Sequence, residues 1–344
     1  MQVLSKTTPG EGGLAMRDKE EPRPGPGEIL LRVEASGICG TDIQIYKWAP
    51  RMARRMALPR VLGHEASGVV VETGEGVTRV TAGDHVSLES HIYCGTCHQC
   101  RSDRAHLCVS TQYPGIDIDG CFARYVVVPE CIAWKHPEPI PHREAALFEP
   151  LGIAVHACCE GRGVEGLPVL ISGCGPIGLM AVNVAKALGA TKVIAVDPNP
   201  LRLKVAGEMG ADDLIDPTRH DVAEEAKALT GGNGVEVSIE FSGTEPGFRA
   251  ALDALSKGGD FRLVGAPPRP IEIDLTRWLL QCPVIHNIHG RRIWDSWDRL
   301  WSLRQSGKLN LKPVVSHELP LSEGIRGFEL ILAGEALKPL LIPQ

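Results

Sequence analysis

Two textures of apolar and polar residues divide this chain. In the second half, an apolar run at 169–172 leads into Gly173-Cys-Gly175-Pro-Ile-Gly178 and then into a strong helix-forming stretch that stops at Gly189. A second apolar run, 192–196, is closed by Asp197, and a helical pattern at 201–209 stops at Gly210. Strand-like 235–241, helical 248–255, strand-like 260–264 and the apolar run 285–288 follow. Strand and helix in alternation predict a parallel, doubly wound sheet. Before residue 150 the runs are short and alternating (28–33, 66–72, 84–89, 124–128), among frequent Gly and Pro. That texture predicts an irregular, mainly β domain, so the fold class is α/β with two dissimilar domains. After Gly290, Trp294, Trp297 and Trp301 recur at helical spacing ahead of Gly307, which predicts an amphipathic helix whose tryptophans face a core.

Composition narrows the class. The 344 residues are 43% apolar and 23% charged, as expected of a globular protein, and no apolar run approaches the ~20 residues of a membrane span. The net charge of −6 argues against a nucleic-acid partner, which selects a basic face. Residues 1–10 carry no apolar signal core, so the expected compartment is cytoplasmic, where cysteines stay reduced.

Eleven cysteines change the picture. Cys94, Cys97, Cys100 and Cys108 fall within fifteen residues. Such a cluster reads as a tetrahedral thiolate zinc site with no open position, hence structural. Paired disulfides are the weaker reading in a reducing compartment. Of the others, Cys121, Cys131, Cys158, Cys159, Cys174 and Cys282 are expected to be small buried hydrophobes.

The glycine-rich turn sits between a strand and a helix, with an acid nineteen residues after its last glycine. That context makes it a dinucleotide fingerprint. Gly173 permits the turn, Gly175 lets the backbone approach a pyrophosphate, and Gly178 lets helix and strand pack closely. The helix N-terminus then offers N–H groups and partial positive charge to the phosphates. Asp197 would accept bonds from the adenosine ribose and repel a 2′-phosphate, which favours NAD over NADP; nearby Arg202 softens that preference. Val264, Gly265 and Ala266 end a strand on the nicotinamide side of the expected crevice.

The first half adds Cys39 in Gly37-Ile-Cys-Gly-Thr-Asp42, His64 and Glu65 in Gly63-His-Glu-Ala-Ser-Gly68, and Glu149 in Phe148-Glu-Pro-Leu-Gly152. Each alone reads as core or turn. Together, beside a nicotinamide domain, they suggest a mixed sulfur, nitrogen and oxygen site with an exchangeable position, as catalytic zinc requires. Such a metal would lower the pKa of a substrate hydroxyl, whose alkoxide releases hydride to NAD⁺.

Over its whole length the chain resembles the zinc-dependent medium-chain alcohol dehydrogenases, and within them most resembles the threonine dehydrogenases. The supporting stretches are Gly37 to Trp48, Gly63-His-Glu65, His85 to His91, the cysteine lobe, Asp119 to Tyr125, Glu149 to His156 and Gly290 to Trp297. The resemblance implies a GroES-like catalytic domain over 1–150 with a zinc lobe at about 91–109, a Rossmann NAD-binding domain over 151–292, and a segment 293–344 returning to the catalytic domain. It implies one catalytic and one structural Zn²⁺ per chain. Cys39, His64 and Glu65 would ligate the catalytic ion, with Glu149 as ligand or standing just behind it. Thr41 would take the substrate proton, and His91 would lie near the substrate. Pro176, Ile177, Asp197, Arg202, Val264, Gly265, Ala266, Ile288 and His289 would meet the cofactor. The implied reaction is oxidation of a secondary alcohol, L-threonine first, giving 2-amino-3-ketobutyrate; a polyol or amino alcohol is the alternative. The implied assembly is a homotetramer whose nucleotide sheets pair through the edge strand near 285–288.

The chain departs from that family at the relay. Gln44 stands where a histidine is usual, and glutamine bonds without changing charge. Ile153 and Ala157 replace asparagine and threonine. The stretch 48–59 is also particular to this chain. In it, Arg51, Arg54 and Arg55 form either a solvated helix face or a partner for a substrate carboxylate, the solvated face being the expectation.

Overall fold

The structure, a computed structural model, describes residues 1–344. Two compact units emerge: Met1–Glu149 with Val315–Gln344, and Pro150–Val314. The return to the first unit thus begins at Val315 rather than at residue 293. The helix Asp295–Gln305 stays with the second unit because Trp297, Leu300 and Trp301 are buried there, and the Asn310 N–H donates to Asn183 Oδ1 at 2.8 Å.

The first unit is mainly β. Its larger sheet runs Val315–Pro320, Lys338–Ile342, Glu28–Gly37, Glu65–Thr73, His85–Leu88 and Ala133–Lys135, with Tyr125–Pro129 also paired to Glu28–Gly37. All its pairings are antiparallel except that of the first two strands. Alternation explains the central strand: Ile29, Leu31 and Val33 point into a core with Val70, Val86 and Val126. A small sheet joins Gln2–Lys6 to Leu14–Asp18 and Arg60–Val61. The His64–Glu65 pair falls where the chain enters the Glu65–Thr73 strand, and Cys39 is the N-cap of the Gly40–Tyr46 helix that leaves Glu28–Gly37. Gly37 pairs with Glu65 across the ladder, which brings these segments side by side.

In the second unit all six strands are parallel, in the spatial order Asp213–Ile215, Lys192–Val196, Pro168–Ser172, Val235–Glu240, Leu255–Leu263, Val284–Asn287. Numbered along the chain this is 3-2-1-4-5-6, the doubly wound order whose ligand crevice lies at the switch beside strand one. The central strands are apolar on both faces, as parallel strands under two helix layers must be. Asp213–Ile215 and the helix Val222–Leu229 were not among the elements read from the sequence. The strand is a three-residue edge strand that opens on an acid, too short to show a period.

Candidate active site and metal centres

The Cys94, Cys97, Cys100 and Cys108 sulfurs lie within 4.8 Å of one another, and none is in a disulfide. The Cys97–Cys100 and Cys94–Cys100 separations are 3.5 and 3.9 Å. Four thiolates at 2.3 Å from a tetrahedral centre would stand about 3.8 Å apart, so this geometry fits zinc. Donors already point at the sulfurs: Cys97 N–H to Cys94 Sγ (3.3 Å), Cys94 N–H and Ser110 N–H to Cys108 Sγ (3.3 and 3.4 Å). The backbone N–H and hydroxyl of Thr96, with the Cys97 N–H, pull the Cys94 thiol down to about 6. A thiol ionised that readily is a ready metal ligand.

Cys39, His64 and Glu65 form the second cluster, again with ligand atoms within 4.8 Å of one another. His64 and Glu65 are buried and Cys39 half-buried. Burial opposes a charge on His64, yet the Cys39 sulfur, Asp42 and Glu149 carry its pKa up to about 10. The cluster therefore holds a proton where a cation belongs, and a metal would displace it. His64 Nδ1 is buried without a hydrogen-bond partner, 4.0 Å from Asp42 Oδ1. Asp42 itself accepts the Cys39 N–H at 2.9 Å, closing the start of the Gly40–Tyr46 helix. Burial pushes Asp42 up, against the pull of His64 and the Cys39 N–H.

Behind Glu65 stands Lys338, which the sequence gave no means of finding. Its Nζ donates to both carboxylate oxygens, at 2.9 and 2.7 Å, and to the Ile38 carbonyl at 3.1 Å. Both side chains are almost completely buried. Burial also pushes Glu65 up, and Lys338 opposes it. The two residues are 273 positions apart, so no local pattern links them. Glu149 is 4% exposed, and its charge is felt at His64, Glu65 and Lys338.

Thr41 and Gln44 occupy one face of the Gly40–Tyr46 helix, three residues apart, Thr41 half-buried and Gln44 exposed. His91 is buried; Glu89 Oε1 lies 2.7 Å from its Nδ1 and accepts its N–H at 3.0 Å, and its ring meets Tyr113 edge-on at 5.0 Å. Among the three arginines, Arg55 is committed elsewhere. It donates to both Asp117 oxygens at 2.7 Å and to Thr111 O at 2.8 Å, and lies over Tyr113. Arg51 and Arg54 are exposed, the solvated face expected. Ala157 is fully buried, and its carbonyl accepts from Arg262 at 2.7 Å. Of the remaining cysteines, Cys282 is exposed at a left-handed helix end, contrary to the buried role expected, because the Leu275–Gln281 helix has no buried residue.

In the second unit Gly173 has φ +92°, and a Cβ on Gly178 would lie 1.9 Å from Gly173 O, so turn and helix meet as glycine alone allows. A Cβ on Gly175 would meet open space, the room a pyrophosphate needs. The Pro176–Ala187 helix starts with Pro176 in its first turn and no capping side chain, whereas Asn199, Asp221, Thr244 and Asp274 cap the next four helices. Ile177 lies in that uncapped first turn. Asp197, 3% exposed, accepts from Cys174 N–H and Asn199 N–H, both at 2.8 Å, with Arg202 Nη1 3.6 Å away. Glu240, also absent from the sequence reading, is fully buried and accepts from Ser242 N–H (2.7 Å), the Ser242 hydroxyl and Gly243 N–H. It shapes the turn against which Gly265 and Ala266 pack. Val264 N–H and Gly265 N–H both donate to the Glu240 carbonyl, and Ile288 N–H to Leu263 O, which sets His289 just beyond the sheet edge.

Comparison with known proteins agrees with both units. The family model described as alcohol dehydrogenase GroES-like domain matches residues 25–138, and that described as zinc-binding dehydrogenase matches 176–306. The chain is 41% identical to an L-threonine 3-dehydrogenase of Thermococcus kodakarensis, covering 100% of this chain and 98% of that one. It is 42% identical to an L-threonine 3-dehydrogenase of Bacillus licheniformis, covering 100% and 99%. The solved alcohol dehydrogenase TADH from Thermus sp. ATN1 superposes with a TM-score of 0.92 at 31% identity over 100% of both chains.

Proposed function

Because this chain belongs to the zinc-dependent medium-chain alcohol dehydrogenases, we propose that its substrate is L-threonine, oxidised at the β-carbon to 2-amino-3-ketobutyrate. The protein is an oxidoreductase whose cofactors are zinc and NAD. The observation that carries the reaction class is the gathering of Cys39, His64 and Glu65, donors of three kinds, next to the helix that holds Thr41. The relatives' names carry the choice of threonine.

A bound zinc would supply Lewis acidity at the alcohol oxygen, and NAD would accept the hydride. This chain's residues do the rest. Cys39, His64 and Glu65, with Glu149 beside them, hold the metal. Lys338 holds the Glu65 carboxylate in position through both of its oxygens. The Thr41 hydroxyl accepts the substrate proton and hands it along its helix face toward Gln44. Gln44 is exposed and bonds at both ends of its amide, so the proton leaves through water rather than on a titrating side chain. His91, fixed by Glu89, borders the substrate. The cysteine lobe holds the second zinc and takes no part in the chemistry. Asp197 binds the adenosine ribose and favours NAD, and the open space over Gly175 admits the pyrophosphate. Residues 1–150 with the C-terminal return are the catalytic domain, the remainder the cofactor domain. The working assembly is a cytoplasmic homotetramer.

The test is NAD⁺ reduction at 340 nm by zinc-loaded protein with L-threonine beside D-threonine, L-serine, 2,3-butanediol and sorbitol. Selective turnover of L-threonine is expected. Turnover of another alcohol with threonine inert would overturn the substrate and leave the reaction class standing.

A further inference from the structure

We propose that His156 and Glu160 are positioning residues that fix the Ile288–Arg292 segment and, through it, the nicotinamide end of the cofactor site. Gly152 and His156 lie four apart on one face of the helix that ends at Cys159, and Glu160, four further on and with its N–H still donating to the His156 carbonyl at 3.0 Å, continues that face. They meet three consecutive residues of the segment leaving the last parallel strand. A Cβ on Gly152 would lie 2.6 Å from Arg291 Cδ, so the absence of a side chain lets the buried Arg291 stem lie flat on the helix. His156 Nδ1 is 2.9 Å from the Gly290 carbonyl. Glu160 accepts a two-pronged pair from Arg292, Nε at 3.0 Å and Nη2 at 2.7 Å. His156 Nε2 stands 3.2 Å from Glu160 Oε2, which joins the two contacts into one unit.

Burial pushes Glu160 up, but Arg292, His156 and His286 outweigh it and hold the carboxyl below its ordinary range, so it stays charged. Stability alone is a poor reason for the arrangement. Arg292 is half exposed, and ion pairs of that kind add little. What the three contacts do is fix the position of a short irregular segment, and Ile288 and His289 lie directly before it, where the reading above puts the nicotinamide. An error of about 1 Å in such a segment can cost about 10²-fold in rate.

This inference rests on that reading of Ile288 and His289, so the experiment separates the two. NADH affinity is measured by fluorescence titration, with kcat, the KM values for NAD⁺ and alcohol, and Tm, for wild type, Asp197→Ala, Glu160→Gln and Arg292→Gln. Glu160→Gln and Arg292→Gln are each expected to weaken NADH binding about tenfold and lower kcat. The alcohol KM should stay within about twofold and Tm should barely move. The double variant should be no worse than either single one, since both break the same contact. If Glu160→Gln fails to fold, Arg292→Gln, altered at an exposed position, asks the same question. If wild type binds NADH, Asp197→Ala weakens it, and both pair variants bind as wild type does, the inference falls and the cofactor reading stands. If wild type itself does not bind NADH, both fall.

Discussion

Cys94, Cys97, Cys100 and Cys108 come from one loop, exposed or half-buried apart from Cys108, and are supported by N–H groups of the same loop. Cys39, His64 and Glu65 come from two separate stretches, lie in or against the core, and are supported by Asp42 and by Lys338 from the far end of the chain. The first set is uniform in chemistry and complete in itself. The second is mixed, surrounded by further charge, and completed only when the C-terminal strand is in place. A site meant to hold an ion permanently can be local. One that mixes donors of different chemistry needs a buried surrounding that holds each in place, and only tertiary structure supplies that.

The sharpest way to break this comparison is to remove one donor from each set. Cys39→Ala should lower kcat by about 10³-fold or more, about 4 kcal/mol of transition-state stabilisation, while Tm changes little and one zinc per chain remains by elemental analysis. Cys97→Ala should do the reverse: one zinc lost, a marked fall in Tm or in soluble yield, and turnover per folded molecule close to wild type. If Cys97→Ala abolished turnover in stably folded protein, the division into chemical and structural sites would be wrong.

Next in size is the ion pair behind the second set. Lys338→Met leaves the Glu65 carboxylate buried and unpartnered, which costs about 3–5 kcal/mol. Urea denaturation of metal-free protein should report that loss. Lys338→Met with Glu65→Gln should recover most of it, because no charge is then stranded. Equal loss in the single and double variants would mean that the lysine stem, not the charge, is what matters.

This contrast also sets what the sequence could tell. The cysteine lobe is legible because its ligands share one loop, and the dinucleotide turn because its strand, glycines, helix and acid occupy twenty-nine consecutive residues, 169 to 197. Cys39, His64 and Glu65 could be proposed only as a constellation beside a cofactor domain and by resemblance. Lys338 and Glu240 were not legible at all. Lys338 is one basic residue before an apolar C-terminal run, and its role exists only because Gly37 pairs with Glu65 and Ser36 with Leu341 in adjacent ladders. Glu240 ends an apolar strand and reads as a surface acid until the neighbouring turn folds over it. The strand at 213–215 was lost to its shortness, and the exposure of Cys282 to a helix that buries nothing.

A smaller effect asks whether the two sets are mechanically separate. Arg55 joins the chain just beyond the lobe, through Thr111, Tyr113 and Asp117, to the end of the short helix Pro50–Ala53. Its two-pronged pair is partly buried, and the Asp117 hydrogen bond, then its charge, hold the guanidinium above its usual range. Arg55→Ala should cost about 1–2 kcal/mol, whereas Arg51→Ala and Arg54→Ala should stay within about 0.5 kcal/mol. Chemical denaturation of the three variants decides it. An unchanged midpoint for Arg55→Ala would mean that the lobe and the helix hold their places independently.

The smallest effect is a pH dependence that each region contributes to differently. His142 stacks on His85 at 4.9 Å and its Nδ1 lies 2.8 Å from Ser67 Oγ, which itself donates to Val86 O. Burial, then the His85 charge, hold His142 below the ordinary imidazole value. A folded pKa below the unfolded one means that the fold prefers the neutral ring. The stabilisation is therefore complete above about pH 6.5 and lost as pH falls through the depressed value. One proton can contribute at most about 1.4 kcal/mol per pH unit. At the lobe, acid acts by protonating thiolates and releasing metal. Acid drives both processes, so Tm alone would confuse them. His142→Gln should flatten the fall of Tm below about pH 6.5 while leaving zinc release, followed with a chromogenic chelator, where it was. If the substitution moved zinc release as well, acid would reach the lobe through the catalytic sheet, and the two sites would be coupled rather than merely neighbours in sequence.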